Sequence, residues 1–138
     1  MKIRCFPALL PVLLLMAAMP LWATSSGAWL RKVPNAARKR VNPYAGKAEA
    51  IAAGKLLFAD HCAECHGSDA LGRHGRPSLR SERVRHATDG ELAWLLRNGS
   101  LSKGMPSWSN IPEPQRWQII AYLRSLPPQN SNSSESSK

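Results

Sequence analysis

Cys62-Ala63-Glu64-Cys65-His66 is the stretch from which the rest of this chain is read. C-x-x-C-H is the pattern through which c-type haem is attached covalently. Two thiols three residues apart lie one turn apart on a helical segment, so both reach the two vinyl groups of one porphyrin. His66 follows at once and offers its imidazole to the iron from one face. The motif therefore predicts one covalently held haem c, with its iron, at the centre of a small core.

Three other readings compete for the same residues. A thioredoxin-like redox pair requires a βαβ context, and no alternating β-branched run flanks Cys62 and Cys65. A zinc site requires further ligands from His61, His66, His74 or His86, but there is no second C-x-x-C and the histidines lack paired spacing. The third is a local disulfide.

Outward from the motif, length and charge set the frame. The chain has 138 residues, room for one domain. Lys and Arg number 19 against 9 Asp and Glu, a net charge of +10. Of the three cysteines, Cys5 lies in an N-terminal segment that reads as an export signal. Lys2 and Arg4 precede an apolar run from Cys5 to Trp22, and Ala23 or Ala28 suits cleavage. The alternative is an uncleaved anchor over residues 5–22, since the run approaches spanning length. Pro7, Pro11 and Pro20 weigh against a long membrane helix, while Arg31 and Lys32, soon after the run, weigh against clean export. Residues 1–23 are thus expected to be a signal peptide or anchor, and either form puts the motif outside the cytoplasm.

Residues 24–45 read as a basic flexible linker, with Pro34, Pro43 and five cations from Arg31 to Arg40 but no sustained apolar period. Nucleic acid or anionic lipid would also suit such a run; a solvated spacer is the expectation, with no nucleic-acid partner. A helix is predicted over Gly46–Asp60, with Ile51, Gly54, Leu57 and Phe58 on one face. Gly54 costs roughly 1 kcal/mol against Ala in a helix interior, and close approach of another helix would explain it. Gly67 to Arg76 reads as a loop. Thr88-Asp89-Gly90-Glu91 matches a capping box that opens a second helix, which stops at Asn98-Gly99. Asn98-Gly99-Ser100 also fits a glycosylation acceptor, a weak signal. Leu101 to Ile111 reads as a loop. Pro112 and Pro114 open a last helix with Ile119, Tyr122, Leu123 and Leu126 on one face, and Pro127-Pro128 ends it. Residues 128–138 form a Ser/Asn tail expected to be disordered.

The second iron ligand is expected to be Met105. Met1, Met16 and Met19 lie in the leader, so Met105 is the only thioether of a cleaved protein. It sits in a loop before Pro106, which restricts its backbone to extended conformations. His66 and Met105 together fill both axial positions, which raises the potential and leaves no open site. Of the rival ligands, His61 lies beside the motif and is badly placed to reach the opposite face, which leaves His74 and His86. Trp94, Trp108 and Trp117 are candidates to line the ring or to pack in an ordinary core.

From about Gly46 to Pro127 the chain resembles the small class I c-type cytochromes, the bacterial monohaem cytochrome c family. The resemblance implies an all-α fold of three to four helices around one covalently attached haem. It implies that Gly54 and Phe58 meet Ile119 and Tyr122 of the last helix. It also implies that the Pro77 carbonyl takes the other imidazole N–H and that Leu79 packs on the ring. Arg97-Asn98-Gly99 before Gly104-Met105-Pro106 is typical of small bacterial members. The short distance from His66 to Met105 departs from the mitochondrial type and implies a more exposed haem edge.

The expected function is one-electron transfer between periplasmic or secreted redox proteins, a dehydrogenase donor and an oxidase or cytochrome acceptor, with no catalysis by side chains. A membrane-tethered cytochrome subunit of a dehydrogenase or oxidase complex is the alternative, and a haem peroxidase or sensor is disfavoured by Met105. Arg73, Arg76, Arg80, Arg83 and Arg85 crowd the stretch after the motif. They predict an acidic docking surface on the partner, unless they only solvate a loop or bind propionates.

Overall fold

The computed structural model describes residues 28–129. The export segment over 1–23, residues 24–27 of the expected linker and residues 130–138 of the tail lie outside the described residues. Within them the protein is helical and contains no strand: α1 Asn35–Arg38, α2 Ala48–His61, α3 Ala63–His66, α4 Glu82–His86, α5 Asp89–Asn98 and α6 Glu113–Ser125.

Three of these carry the body. The Ala-rich run of α2 favours a helix, with Glu49 in its first turn matching the macrodipole. Gly54 is buried where α2 meets α6: a Cβ there would stand 2.5 Å from the Gln118 carbonyl carbon and 3.0 Å from Tyr122 Cβ. One turn on, the rings of Phe58 and Tyr122 meet in a tilted pair with centroids 5.4 Å apart. The helix crossing inferred from Gly54 is therefore present, and the reason is steric.

α6 is buried on two sides. Ile119 and Ile120 join Leu92, Ala93 and Leu96 of α5 in the larger core, while Tyr122 joins Phe58 and Ala70 in a smaller one. α5 opens with the capping box the sequence predicts: Glu91 N–H donates to Thr88 Oγ1 at 3.1 Å, and Thr88 N–H donates to Glu91 Oε2 at 2.7 Å. Its partner α6 begins after Pro112, with Pro114 in the first turn. Arg124 of α6 pairs with Asp89 at 2.8 Å and donates to the carbonyls of Val84, Arg85 and Ala87, satisfying the end of α4. The helix α4 falls in a stretch for which the apolar pattern predicts no element, because five residues are too few to show a period.

The expected linker differs from what the structure contains. Residues 28–45 are packed on the body: Val33 and Asn42 are 4% and 3% exposed. Arg38 bonds the Glu91 carboxylate and Arg40 the Glu113 carboxylate. Those two cations of the basic run are neutralised within the chain. An apolar period was absent because the segment docks through hydrogen bonds and ion pairs rather than through an amphipathic face.

Candidate functional site

The attachment motif is wound as a single helical turn. α2 breaks at Cys62 (φ −122°), and the Cys65 and His66 amides both donate back to the Cys62 carbonyl, at 3.2 and 3.0 Å. Gly67 then leaves at φ +79°, a conformation open to glycine. This turn forms one wall of a cavity of about 940 Å³, within the roughly 300–1,000 Å³ of cofactor-sized sites. Cys62, Cys65, His66, Pro77, Leu79 and Met105 all line it. The six residues singled out in the sequence thus share one space, although Cys65 and Met105 are 40 positions apart.

His66 is oriented by its other nitrogen. Nδ1 lies 3.2 Å from the Pro77 carbonyl, so the tautomer that donates there keeps a free lone pair on Nε2. Burial pulls the imidazole below its usual range; the bond to Pro77 opposes this, and the charge of Arg76 adds to it. A neutral ring with a fixed tautomer is what a metal requires of histidine. Burial, with Cys65 alongside, pushes the Cys62 thiol up to about 11. A redox-active C-x-x-C pair has a lowered thiol pKa instead, and among the described residues no strand flanks the pair as a thioredoxin-like βαβ unit requires. The two sulfurs are not joined in a disulfide, and among the described residues no three His, Cys, Asp or Glu side chains gather as the zinc alternative requires.

The Met105 loop is built with comparable care. Ser100 and Met105 exchange backbone hydrogen bonds of 2.8 and 3.1 Å, closing a small bridge. Gly99 and Gly104 flank it at φ +69° and +74°, and a Cβ on Gly99 would meet Pro106 at 2.6 Å. Arg76 donates to the Lys103 carbonyl at 3.0 Å, tying this loop to the one that follows the motif. Trp108 N–H donates to the Leu96 carbonyl at 2.9 Å. Of the rival histidines, His61 lines the cavity and packs against Trp108 (5.6 Å between centroids), whereas His74 and His86 are not among its lining residues.

Several expectations change. Trp94 and Trp108 line the cavity, but Trp117 does not; it is core, with Arg40 over its ring at 5.1 Å. Three of the five clustered arginines make internal bonds. Arg80 donates to the carbonyls of Asp69, Pro127 and Pro128, Arg85 to that of Leu126, and Arg76 to that of Lys103. Arg83 lines the cavity. Sequence reasoning missed Trp29 and Lys32, which also line it; neither sits in a periodic segment that would have marked it.

The lining fits a porphyrin. Leu79, Val84, Leu92, Leu96, Ile119 and Ile120 supply apolar surface, and the thiols, the imidazole and the thioether supply the attachment and axial donor types of c-type haem.

Comparison with known proteins is consistent with this chemistry. The family described as cytochrome c oxidase, cbb3-type, subunit III matches residues 49–123. The cbb3-type cytochrome c oxidase subunit FixP of Sinorhizobium medicae (strain WSM419) is 35% identical over 95 residues, covering 56% of this chain and 30% of that protein. The subunit CcoP of Rubrivivax gelatinosus is 32% identical over 80 residues, covering 56% and 26%. The chain thus spans less than a third of the length of these relatives. Among solved structures, cytochrome cL of Methylophaga aminisulfidivorans MPT superposes with a TM-score of 0.57 at 25% identity, over 80% of this chain and 72% of that one. Cytochrome cL of Hyphomicrobium denitrificans gives 0.57 at 20% identity, over 78% and 71%, a likeness of fold.

Proposed function

The chain belongs to the family of cytochrome c oxidase, cbb3-type, subunit III, and we propose that within it this protein carries single electrons between redox proteins on the outer side of the cytoplasmic membrane. It is a c-type cytochrome with the all-α cytochrome c fold and covalently bound haem c. The haem supplies the one-electron chemistry at its iron; the side chains bind it, orient it and exclude water.

In this reading Cys62 and Cys65 form the thioethers, His66 is the proximal ligand through Nε2, and Met105 is the distal ligand. Pro77 holds the imidazole in place and Leu79 packs on the ring. The observation that carries the reading is that these residues line one cavity, with the His66 Nδ1 fixed on Pro77. The role of residues 1–23 is export. An absorption spectrum with the intact mass of the exported protein tests all of this together. Expected are a mass increased by one haem, a processed N-terminus and a low-spin His/Met spectrum. Unmodified mass after expression with the maturation machinery would refute it.

A second reading retains residues 5–22 as an anchor and makes the chain a subunit of an oxidase complex. It is favoured by the curated relatives, which are named as subunits of a cbb3-type oxidase. Among the described residues no helix is long and apolar enough to cross a membrane, and the apolar run lies outside them. Fractionation separates the two: haem protein in the soluble extract supports a shuttle, and haem protein in the membrane pellet supports the tethered subunit.

A further inference from the structure

Residues 28–45 lie outside the stretch matched by the family, yet they are fastened to the cytochrome body at four points. Arg38 bonds the Glu91 carboxylate and the carbonyls of Leu30 and Val33, while the Thr88 hydroxyl donates to the Arg38 carbonyl at 3.0 Å. At Gly90 a Cβ would stand 3.0 Å from the Arg40 carbonyl oxygen and 3.1 Å from the Ala37 carbonyl carbon, so α5 starts directly against this backbone. Asn42, buried, donates to the Trp117 carbonyl at 2.9 Å. Arg40 pairs with Glu113 and covers Trp117.

None of these four contacts needs the cavity. Together they hold the short 3-10 turn Leu30–Lys32 at its wall, where Trp29 and Lys32 line the space. Trp29 and Leu30 also pack on the larger core.

We propose that residues 28–45 form a strap over the haem, in which Trp29 shields one side from water and Lys32 supplies a cation to a haem propionate. The proposal rests on the reading of the cavity as the haem pocket. A carboxylate at a partly buried edge requires a paired charge, and among the described residues the Lys and Arg side chains lining the cavity are those of Lys32, Arg83 and Lys103. Lys32 is exposed, as a residue at the mouth must be. Its methylene stem can lie along the apolar wall while the ammonium reaches outward. Both residues act on the iron in the same direction. Exclusion of water disfavours the oxidised site, which carries one more positive charge, and a neighbouring cation does the same. Trp29 and Lys32 are therefore positioning residues that raise the reduction potential.

The test uses the full exported haem protein and the variants Trp29→Ala and Lys32→Gln. The midpoint potential, the rate at which added imidazole binds the ferric protein and the melting temperature are measured for each. Trp29→Ala is expected to lower the potential and to take up imidazole several-fold faster. Lys32→Gln is expected to lower the potential with the melting temperature and imidazole rate unchanged, and Lys32→Arg to restore it. A potential for Lys32→Gln equal to that of the wild type overturns the proposal, as does an unchanged imidazole rate in Trp29→Ala. If Trp29→Ala does not accumulate, Lys32→Gln decides alone, since an exposed lysine is not needed for folding. Wild-type protein without covalent haem would instead sink the underlying reading of the cavity.

Discussion

Gly54→Ala is the sharpest perturbation this fold offers. The added methyl carbon would stand 2.5 Å from the Gln118 carbonyl carbon, with the carbonyl oxygen closer still, and 3.0 Å from Tyr122 Cβ. Ordinary carbon contacts begin near 3.5 Å, so α2 and α6 must separate by about 1 Å. The obstacle is backbone, which cannot rotate away. A gap of about 1 Å forfeits roughly half of each dispersion contact across the crossing. The contacts at risk include those of Phe58 and Ile119, each 1% exposed. Overpacking of this kind costs about 1–3 kcal/mol, and an immovable carbonyl puts it at the upper end. Replacing glycine in a helix returns about 1 kcal/mol. The net loss is about 2 kcal/mol, which for a domain of this size lowers the melting temperature by about 8–16 °C. Far-ultraviolet circular dichroism of the haem protein, followed on heating, measures it. A melting temperature equal to or above that of the wild type would refute the reasoning, because the helix-propensity gain would then stand unopposed and α6 would not be in contact at Gly54.

Other outcomes follow from the site and the caps. Met105→Ala is expected to abolish the near-infrared sulfur-to-iron band of the ferric protein and to lower its potential; an unchanged spectrum would transfer the ligand role to a histidine, with His61 the one on the cavity wall. Thr88→Ala removes the hydroxyl that accepts from Glu91 N–H and donates to the Arg38 carbonyl, and should cost about 1 kcal/mol in denaturant unfolding. Replacement by Ser should restore most of it. The rate of electron transfer to an acidic redox partner should fall as ionic strength rises, because the cavity-lining Lys32, Arg83 and Lys103 keep positive charge at the site. A flat profile would point to apolar contact at the haem edge instead.

What the sequence determined by itself is local chemistry. Cys62, Cys65 and His66 announce their cofactor because attachment needs those groups at that spacing within one turn. Thr88 and Glu91 announce a helix start because a capping box is closed within four residues. The face of α6 is legible from Ile119 to Leu126 because burial imposes the helical period on it. Met105 is expected as the second ligand from elimination and from its loop, and the roles of Pro77 and Leu79 from family resemblance; all three line the cavity. Tertiary structure alone decided the rest. It brings the Pro77 carbonyl to His66 Nδ1, 11 positions away, and ties the two loops through Arg76 and Lys103. It turns Trp117 into core under Arg40 and makes Trp108 part of the cavity wall. Above all it folds residues 28–45 onto the body. Arg38 finds Glu91 at a separation of 53 residues and Asn42 finds Trp117 at 75. Such pairings leave no period and no motif, since a hydrogen bond between distant residues constrains each partner only at a single position. A basic run rich in Pro therefore reads as a spacer until the groups that neutralise it are in view.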